Sequence, residues 1–402
     1  MIEVRDRLYV PDPDYWLKFC TKKYLSKRPL KVKTVDNGII LPVRPKESGK
    51  LYNCRGGVCD PDFKFIAGYD NYGKSKGFIH IDEAYTVERN EPVQSNEEVI
   101  FGGALIYHFG HFMIECTSRL WYLVQNPSPD KKIIFLPMGQ WTFKPWVYEF
   151  LELFGLPEDR IVILDKPMQF KSVTVPDQAV FIITRYSKEF LMPFKQMLSN
   201  VQPTEGVRKI FLSRSKELSS ARSIYNQEYF EEFYRAHGYE IVYPEKLSIA
   251  EQISLVSGAD EIVTFLGTLS HWVIYCRPST KLIILAAVCN GSAYATLARQ
   301  SLINEASAAD WFFVNVDRNF LLSAHTSGPI ITGVTEEWRR YVKDHFGETI
   351  DDETIPTGLI SEYIRRWCKF FTDDESRHID SIKKIYNRMT ELEEELQRLG
   401  EE

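Results

Sequence analysis

Along this chain, apolar residues recur with two different spacings, and the switches between them outline the elements. Ordered alternation begins at Val99. Val99-Ile-Phe reads as a strand broken by Gly102-Gly103, and Phe109 to Val124 has helical spacing. Lys132-Ile-Ile-Phe-Leu is a buried strand closed by Pro137, and a helix follows from Lys144 to Phe154, ended by Gly155-Leu-Pro. Arg160-Ile-Val-Ile-Leu and Lys171-Ser-Val-Thr-Val are further strands. A second series starts near Arg208, with strands at Lys209-Ile-Phe-Leu, Tyr239-Glu-Ile-Val, Glu261-Ile-Val-Thr-Phe and Lys281-Leu-Ile-Ile-Leu. Helices are predicted over Asn226–His237 and from Ser248 to Ser257, with Glu251 at the capping-box position, and a third leads from Gly267 through Tyr275.

Strands alternating with helices imply parallel sheets covered on both faces. Two such runs predict an α/β chain of two Rossmann-like domains facing a cleft, with a C-terminal helical extension. The expected boundaries are 1–200 for a first α/β domain, 201–334 for a second domain, 335–378 for helices packing back on the first, and 379–402 for a heptad helix. Residues 1–98 lack clean periodicity and are expected as short strands and loops decorating the first domain. In the last segment Ile382, Ile385, Met389, Leu392, Leu396 and Leu399 step by threes and fours. That seam suits a homodimer or a partner helix, or equally a helix packed on its own domain.

With 402 residues, 44% of them hydrophobic, the chain can bury large cores. Its net charge of −6 with interspersed signs argues against coating nucleic acid. Seven dispersed cysteines fit reduced thiols better than a disulfide framework. The start lacks an apolar h-region and no window is apolar enough to span a bilayer, so a cytoplasmic protein is expected. Tyr15 to Lys33 holds seven Lys or Arg with Tyr15, Trp16, Phe19 and Tyr24, and Ile364–Phe371 is similar. Such segments dock on anionic membranes, or simply bury an aromatic face and solvate a basic one.

Three clusters carry candidate chemistry. In Tyr107-His108-Phe-Gly-His111-Phe-Met-Ile-Glu115-Cys-Thr-Ser118-Arg119, helical spacing puts His111, Glu115, Ser118 and Arg119 on one face. An imidazole beside a carboxylate can act as a general base; a metal site or a structural His–Glu pair are the alternatives. Ser213-Arg214-Ser-Lys216 follows a strand, where open α/β sheets bind ligands, with Arg222, Asn226 and Glu228 beyond. Arginines there could meet a diphosphate; basic loop residues are otherwise merely solvated. Gly267-Thr268-Leu-Ser270-His271 turns a strand into a helix whose free N–H groups suit phosphate, or is a routine turn. No Asp-x-Asp follows a hydrophobic strand, which favours chemistry without a metal, and no cofactor is expected.

Together and in this order, the pieces resemble glycosyltransferase family 61. His108-x-x-His111-x-x-x-Glu115-x-x-x-Arg119-Leu-Trp resembles its opening motif. Phe211-Leu-Ser-Arg214 with Arg222, Asn226 and Glu228 resembles the next, and Tyr243-Pro-Glu245 through Ala259-Asp-Glu-Ile-Val-x-x-x-Gly267 the last. The resemblance spans roughly residues 100–290. It implies a GT-B fold, a nucleotide-sugar donor held by the second domain, and inversion at the anomeric carbon, as in the bacterial capsular polysaccharide type. Carried over, His111 is the acceptor base, with Glu115 its partner or the alternative base, and His108 and Arg119 stand on the acceptor side. Arg214 and Arg222 meet the diphosphate, with Ser213 and Asn226 in the same motif. Glu245 lies near the nucleoside, and Gly267, Thr268 and His271 complete the donor site. One departure stands out: Gly267-Thr-Leu-Ser-His271 replaces a Gly-Ala-Gly-like turn followed by Asn.

The expected function is transfer from a nucleotide sugar to a saccharide acceptor, which a lipid link would bring to the membrane. The competing readings are a non-catalytic nucleotide- or glycan-binding scaffold and a metal-dependent hydrolase built on the His111 cluster.

Overall fold

The computed structural model describes residues 3–47, 50–70, 80–88, 91–106, 108–138, 145–206, 209–216, 223–289, 294–321, 329–351 and 354–372. Arg222 and the heptad segment 379–402 lie outside them.

Two large sheets organise the chain. The later one has six parallel strands in the order Glu240–Val242, Lys209–Leu212, Glu261–Phe265, Lys281–Ala286, Asp310–Asn315 and Leu8–Tyr9. Its strands are near-continuous apolar runs because both faces are covered. Ile210, Leu212, Ile262, Leu282, Ile284 and Phe313 enter one core, while the alternate residues Phe211, Val263, Ile283, Leu285, Phe312 and Val314 enter another. Strand order reverses between Lys209–Leu212 and Glu261–Phe265, the kind of switch point where a doubly wound sheet opens a crevice at its carboxyl edge.

The N-terminus departs from expectation. Instead of decorating the first sheet, Leu8–Tyr9 pairs in parallel with Phe313 and Val314 and covers the edge of the later sheet. Trp16, on the Pro13–Cys20 helix, packs its ring 5.0 Å from that of Phe313. Trp16, Phe19 and Tyr24 are buried, whereas Lys18, Lys22, Lys23 and Lys27 are exposed.

The late helices also depart. Glu336–Phe346 was expected across the first domain but lies on the later sheet, because its Trp338, Tyr341 and Val342 complete the second core. Trp338 meets Phe230 and Phe233 of the Gln227–Ala236 helix at 5.0 and 5.1 Å between ring centroids. Thr357–Thr372 packs instead on the separate two-stranded ladder of Ile224–Tyr225 and Ile330–Ile331, with Tyr363 buried against Tyr225 and Ile331.

The earlier sheet has ten strands and is mixed. Its centre runs Ile161–Ile163, Lys132–Pro137, Val93–Leu105 and Met168–Pro176, all parallel, with a reversal of order between the last two. Antiparallel strands at Ile39–Glu47 and Lys50–Cys59 extend it. Gly102-Gly103 does not end the strand as expected. The strand continues to Leu105 through a register shift after Phe101, with Gly103 at φ +107°.

Between the sheets, one core runs continuously from Ile133 and Phe150 to Ile262 and Trp272. The rings of Phe194 and Tyr275 stand 5.6 Å apart across it, and the Glu149 carboxylate accepts the Ile249 N–H at a helix start. That helix, Ile249–Gly258, carries the expected capping box: Ser248 Oγ accepts the Glu251 N–H and Glu251 Oε2 accepts the Ser248 N–H at 2.8 Å. Among the described residues no cysteine forms a disulfide. No described helix is long and apolar enough to cross a membrane.

Ser248→Ala should lower stability by about 1 kcal/mol, the usual worth of an N-cap hydroxyl, read from the urea midpoint with an unchanged slope.

Candidate active site

The segment after Leu105 is not one regular helix. An α-turn at Phe109–His111 passes into a π-helical stretch at Phe112–Cys116, and helix resumes at Trp121–Gln125. Single π-turns gather at functional sites. The wider turn brings His111 onto Glu115 and sends the later residues elsewhere. His111 Nδ1 lies 2.8 Å from Glu115 Oε2, and Tyr69 Oη donates to the same oxygen at 2.6 Å. Ser118 is buried, its carbonyl accepting the Ala179 N–H, and Arg119 turns toward Gly68. The single face expected for all four residues is therefore split.

Glu115 is 2% exposed. Burial pushes its carboxyl up, but the charge and hydrogen bond of His111, the charge of Arg299 and the Tyr69 hydroxyl together hold it below the usual glutamate range. Ionised, it can only accept, so His111 presents an Nδ1–H to it and leaves Nε2 as the nitrogen turned to other partners. The His111 side chain is partly exposed, and exposed His108 stands 5.2 Å away ring to ring.

The later sheet reaches the same place. Gly267, at φ +156°, ends the Glu261–Phe265 strand and starts the 3-10 helix Thr268–Tyr275. A Cβ on Gly110 would stand 2.8 Å from Thr268 Oγ1 and 3.5 Å from His108 Cε1, so only a glycine lets the two turns touch this closely. Phe109 and Trp272 pack beside them at 5.7 Å.

The Gly267 N–H is taken by Ser270 Oγ, which also donates to the Gln300 side-chain oxygen. The same oxygen faces His271 Nδ1 at 2.8 Å. His271 is 2% exposed. Burial first, then the Arg299, His111 and His108 charges, push its pKa down to about 3 against the Gln300 hydrogen bond. It is therefore a neutral imidazole with its proton on Nδ1, able to accept at Nε2 rather than donate there.

The remaining expected residues divide. Arg214 is exposed just past the Lys209–Leu212 strand, at the switch point, and Glu245 is exposed on the Pro244–Lys246 turn. Ser213 is fully buried and donates to Glu231 at 2.6 Å, so its hydroxyl braces the Gln227–Ala236 helix. Asn226, left-handed at φ +68°, donates to the Thr332 carbonyl at 3.1 Å. Tyr69, Arg299 and Gln300 escaped the sequence reading. Tyr69 sits in an aperiodic stretch, and Arg299-Gln300 looks like the solvated side of an ordinary helix.

Residues 109–283 match the family model described as glycosyltransferase 61. The resemblance is thereby shown over that span, and the matched segment is glycosyltransferase sequence. No curated protein matches the chain. The family-61 span opens on the turn that carries His111 and closes inside the Lys281–Ala286 strand, so it holds the His111–Glu115 pair, Arg214 and the Gly267–His271 turn together. Tyr69, His108 and Arg299 lie outside it. Among the described residues no group of three or more His, Cys, Asp or Glu side chains is placed to hold a metal ion.

His271 gives a pH signature. Its folded pKa lies below the ordinary 6.5, so its contribution to stability is complete above about pH 6.5 and is lost as pH falls toward about 3. Between pH 7 and pH 5 this one group should cost about 2 kcal/mol. His271→Asn should lose that much less over the same interval in urea unfolding, whatever its stability at pH 7.

Proposed function

We propose that the chain is an inverting, metal-independent glycosyltransferase of GT-B architecture, using a nucleotide-sugar donor and a saccharide acceptor in capsular or other surface polysaccharide biosynthesis at the cytoplasmic face of the membrane. One observation carries the reading: a buried, ionised Glu115 orients His111 at the carboxyl edge of the first sheet, in contact with the turn at the carboxyl edge of the second.

His111 Nε2 takes the proton of an acceptor hydroxyl as that oxygen attacks the anomeric carbon. Glu115 stabilises the resulting imidazolium without being protonated, the logic of an acid–imidazole pair in acyl transfer. Its burial and its bonds from two donors favour that supporting role over acting as the base itself. The new C–O bond forms on the face opposite the departing diphosphate, which inverts the centre. The leaving oxygens gather negative charge, to be met by Arg214, by Arg222 and by the amides of Thr268 and Leu269, which head their helix without an intrahelical acceptor. His271, neutral, fits a sugar hydroxyl better than a phosphate. Glu245 remains the candidate for the nucleoside. Membrane contact through residues 15–33 would be electrostatic, since the aromatic rings there are mostly committed to the core.

The test is a thermal-shift screen of nucleotide sugars, then turnover with the best ligand. His111→Ala should lower kcat by roughly 10²–10⁴-fold with donor affinity retained. Arg214→Ala should weaken donor binding by about tenfold or more. Turnover should survive a chelator. Normal kcat in His111→Ala would remove the proposed base, and nucleotide binding without turnover on any donor would leave a binding scaffold.

A further inference from the structure

A cavity of 1070 Å³ opens beside the carboxyl end of the Met168–Pro176 strand, at the strand-order reversal of the first sheet. Arg119 forms part of its wall and is 6% exposed. Its Nη2 donates to the Gly68 carbonyl at 2.9 Å, but Nε and Nη1 have no hydrogen-bond partner among the described residues. The stem passes Gly103, and the guanidinium lies over the Phe101 ring at 5.2 Å. Burial pulls its pKa down to about 10, so it remains a cation at neutral pH. A buried cation with donors left over is costly unless an anion completes it. Neighbouring Asp177 does not do so by hydrogen bond, and its Oδ2 instead accepts the Lys31 N–H.

The surroundings have the same sign. Among the described residues, five Lys or Arg line the cavity against three Asp, in a chain of net charge −6. Of those five, Lys46 is already paired with Asp82, and Arg185 lies over the Phe181 ring at 3.9 Å. Arg28 and Lys33 are exposed at the rim. Tyr69 joins the cavity to the chemistry, since it lines the wall while its hydroxyl holds Glu115, and the preceding residue holds Arg119.

We propose that this cavity is the acceptor subsite and selects an acidic saccharide, whose oxyanion, a carboxylate or a phosphate ester, is received by Arg119. The proposal rests on the transferase reading for the word acceptor, but the anion site can be tested without turnover. Arg119 is a specificity-determining residue in this scheme, acting through the charge it places in the cavity wall and through Nη2, which keeps a second N–H beside the one given to Gly68.

Full-length protein would be titrated calorimetrically with methyl glucuronide, glucose 6-phosphate and neutral methyl glucoside. At least one acidic probe should bind about tenfold or more tightly than the neutral one, and which of the two does so identifies carboxylate or phosphate as the source. Arg119→Gln should erase that preference without lowering the melting temperature, since it removes a buried, incompletely paired charge. Should that variant fail to fold, Arg185→Ala combined with Arg28→Ala should still weaken the acidic probe. Equal binding of all three sugars, binding of none, or an unchanged preference in these variants would overturn the proposal. Nucleotide sugars titrated into the same samples separate the two ideas. Retained turnover without acid preference sinks only the acidic acceptor. Acid preference without turnover on any donor sinks the transferase reading and leaves an anion site.

Discussion

The Glu115 carboxylate is the constraint around which this molecule is built. An ionised group at 2% exposure is tolerable only with several partners, and it has them: the Tyr69 hydroxyl, the His111 imidazole and the nearby Arg299 charge. Each comes from a different part of the chain. Tyr69 comes from the early strands, His111 from the turn after Leu105, and Arg299 from the Tyr294–Ser307 helix of the later sheet. Tyr69 and His111 both bond Oε2, while Oε1 has no hydrogen-bond partner among the described residues and is met by charge alone, so stabilising this one carboxylate ties both sheets to a single arrangement.

The backbone accommodates that constraint at two glycines. Gly103 lets the central strand bulge and leaves room for the Arg119 stem, and Gly110 lets the His108–His111 turn lie against Thr268. The π-turn at Phe112–Cys116 serves the same end by rotating Glu115 inward while releasing Arg119 to a separate cavity. The proposed base and the proposed anion receptor, eight residues apart in sequence, thus face different compartments.

The histidines show how burial divides labour among like residues. His111 keeps an accessible ring beside an anion. His271, enclosed with Gln300 and facing cations, is held neutral. An enclosed neutral imidazole and a partly exposed one beside a carboxylate have opposite uses, although a sequence presents both as a histidine near a strand end.

Patterning alone established the parallel series after Lys209, the capping box at Ser248, the helices at Pro145–Phe154 and Gln227–Ala236, and the placing of Arg214 and Gly267 after strand ends. These follow from local rules, because apolar period and cap chemistry act over a few residues. Tertiary structure alone decided that Leu8–Tyr9 and the Glu336–Phe346 helix belong to the later sheet, that Ser213 braces a helix, and that Tyr69 and Arg299 converge on Glu115. Nothing local marks those partners. They are selected by edge pairing, by complementary aromatic faces and by the need of one buried charge for company, and all three depend on residues from tens to hundreds of positions apart.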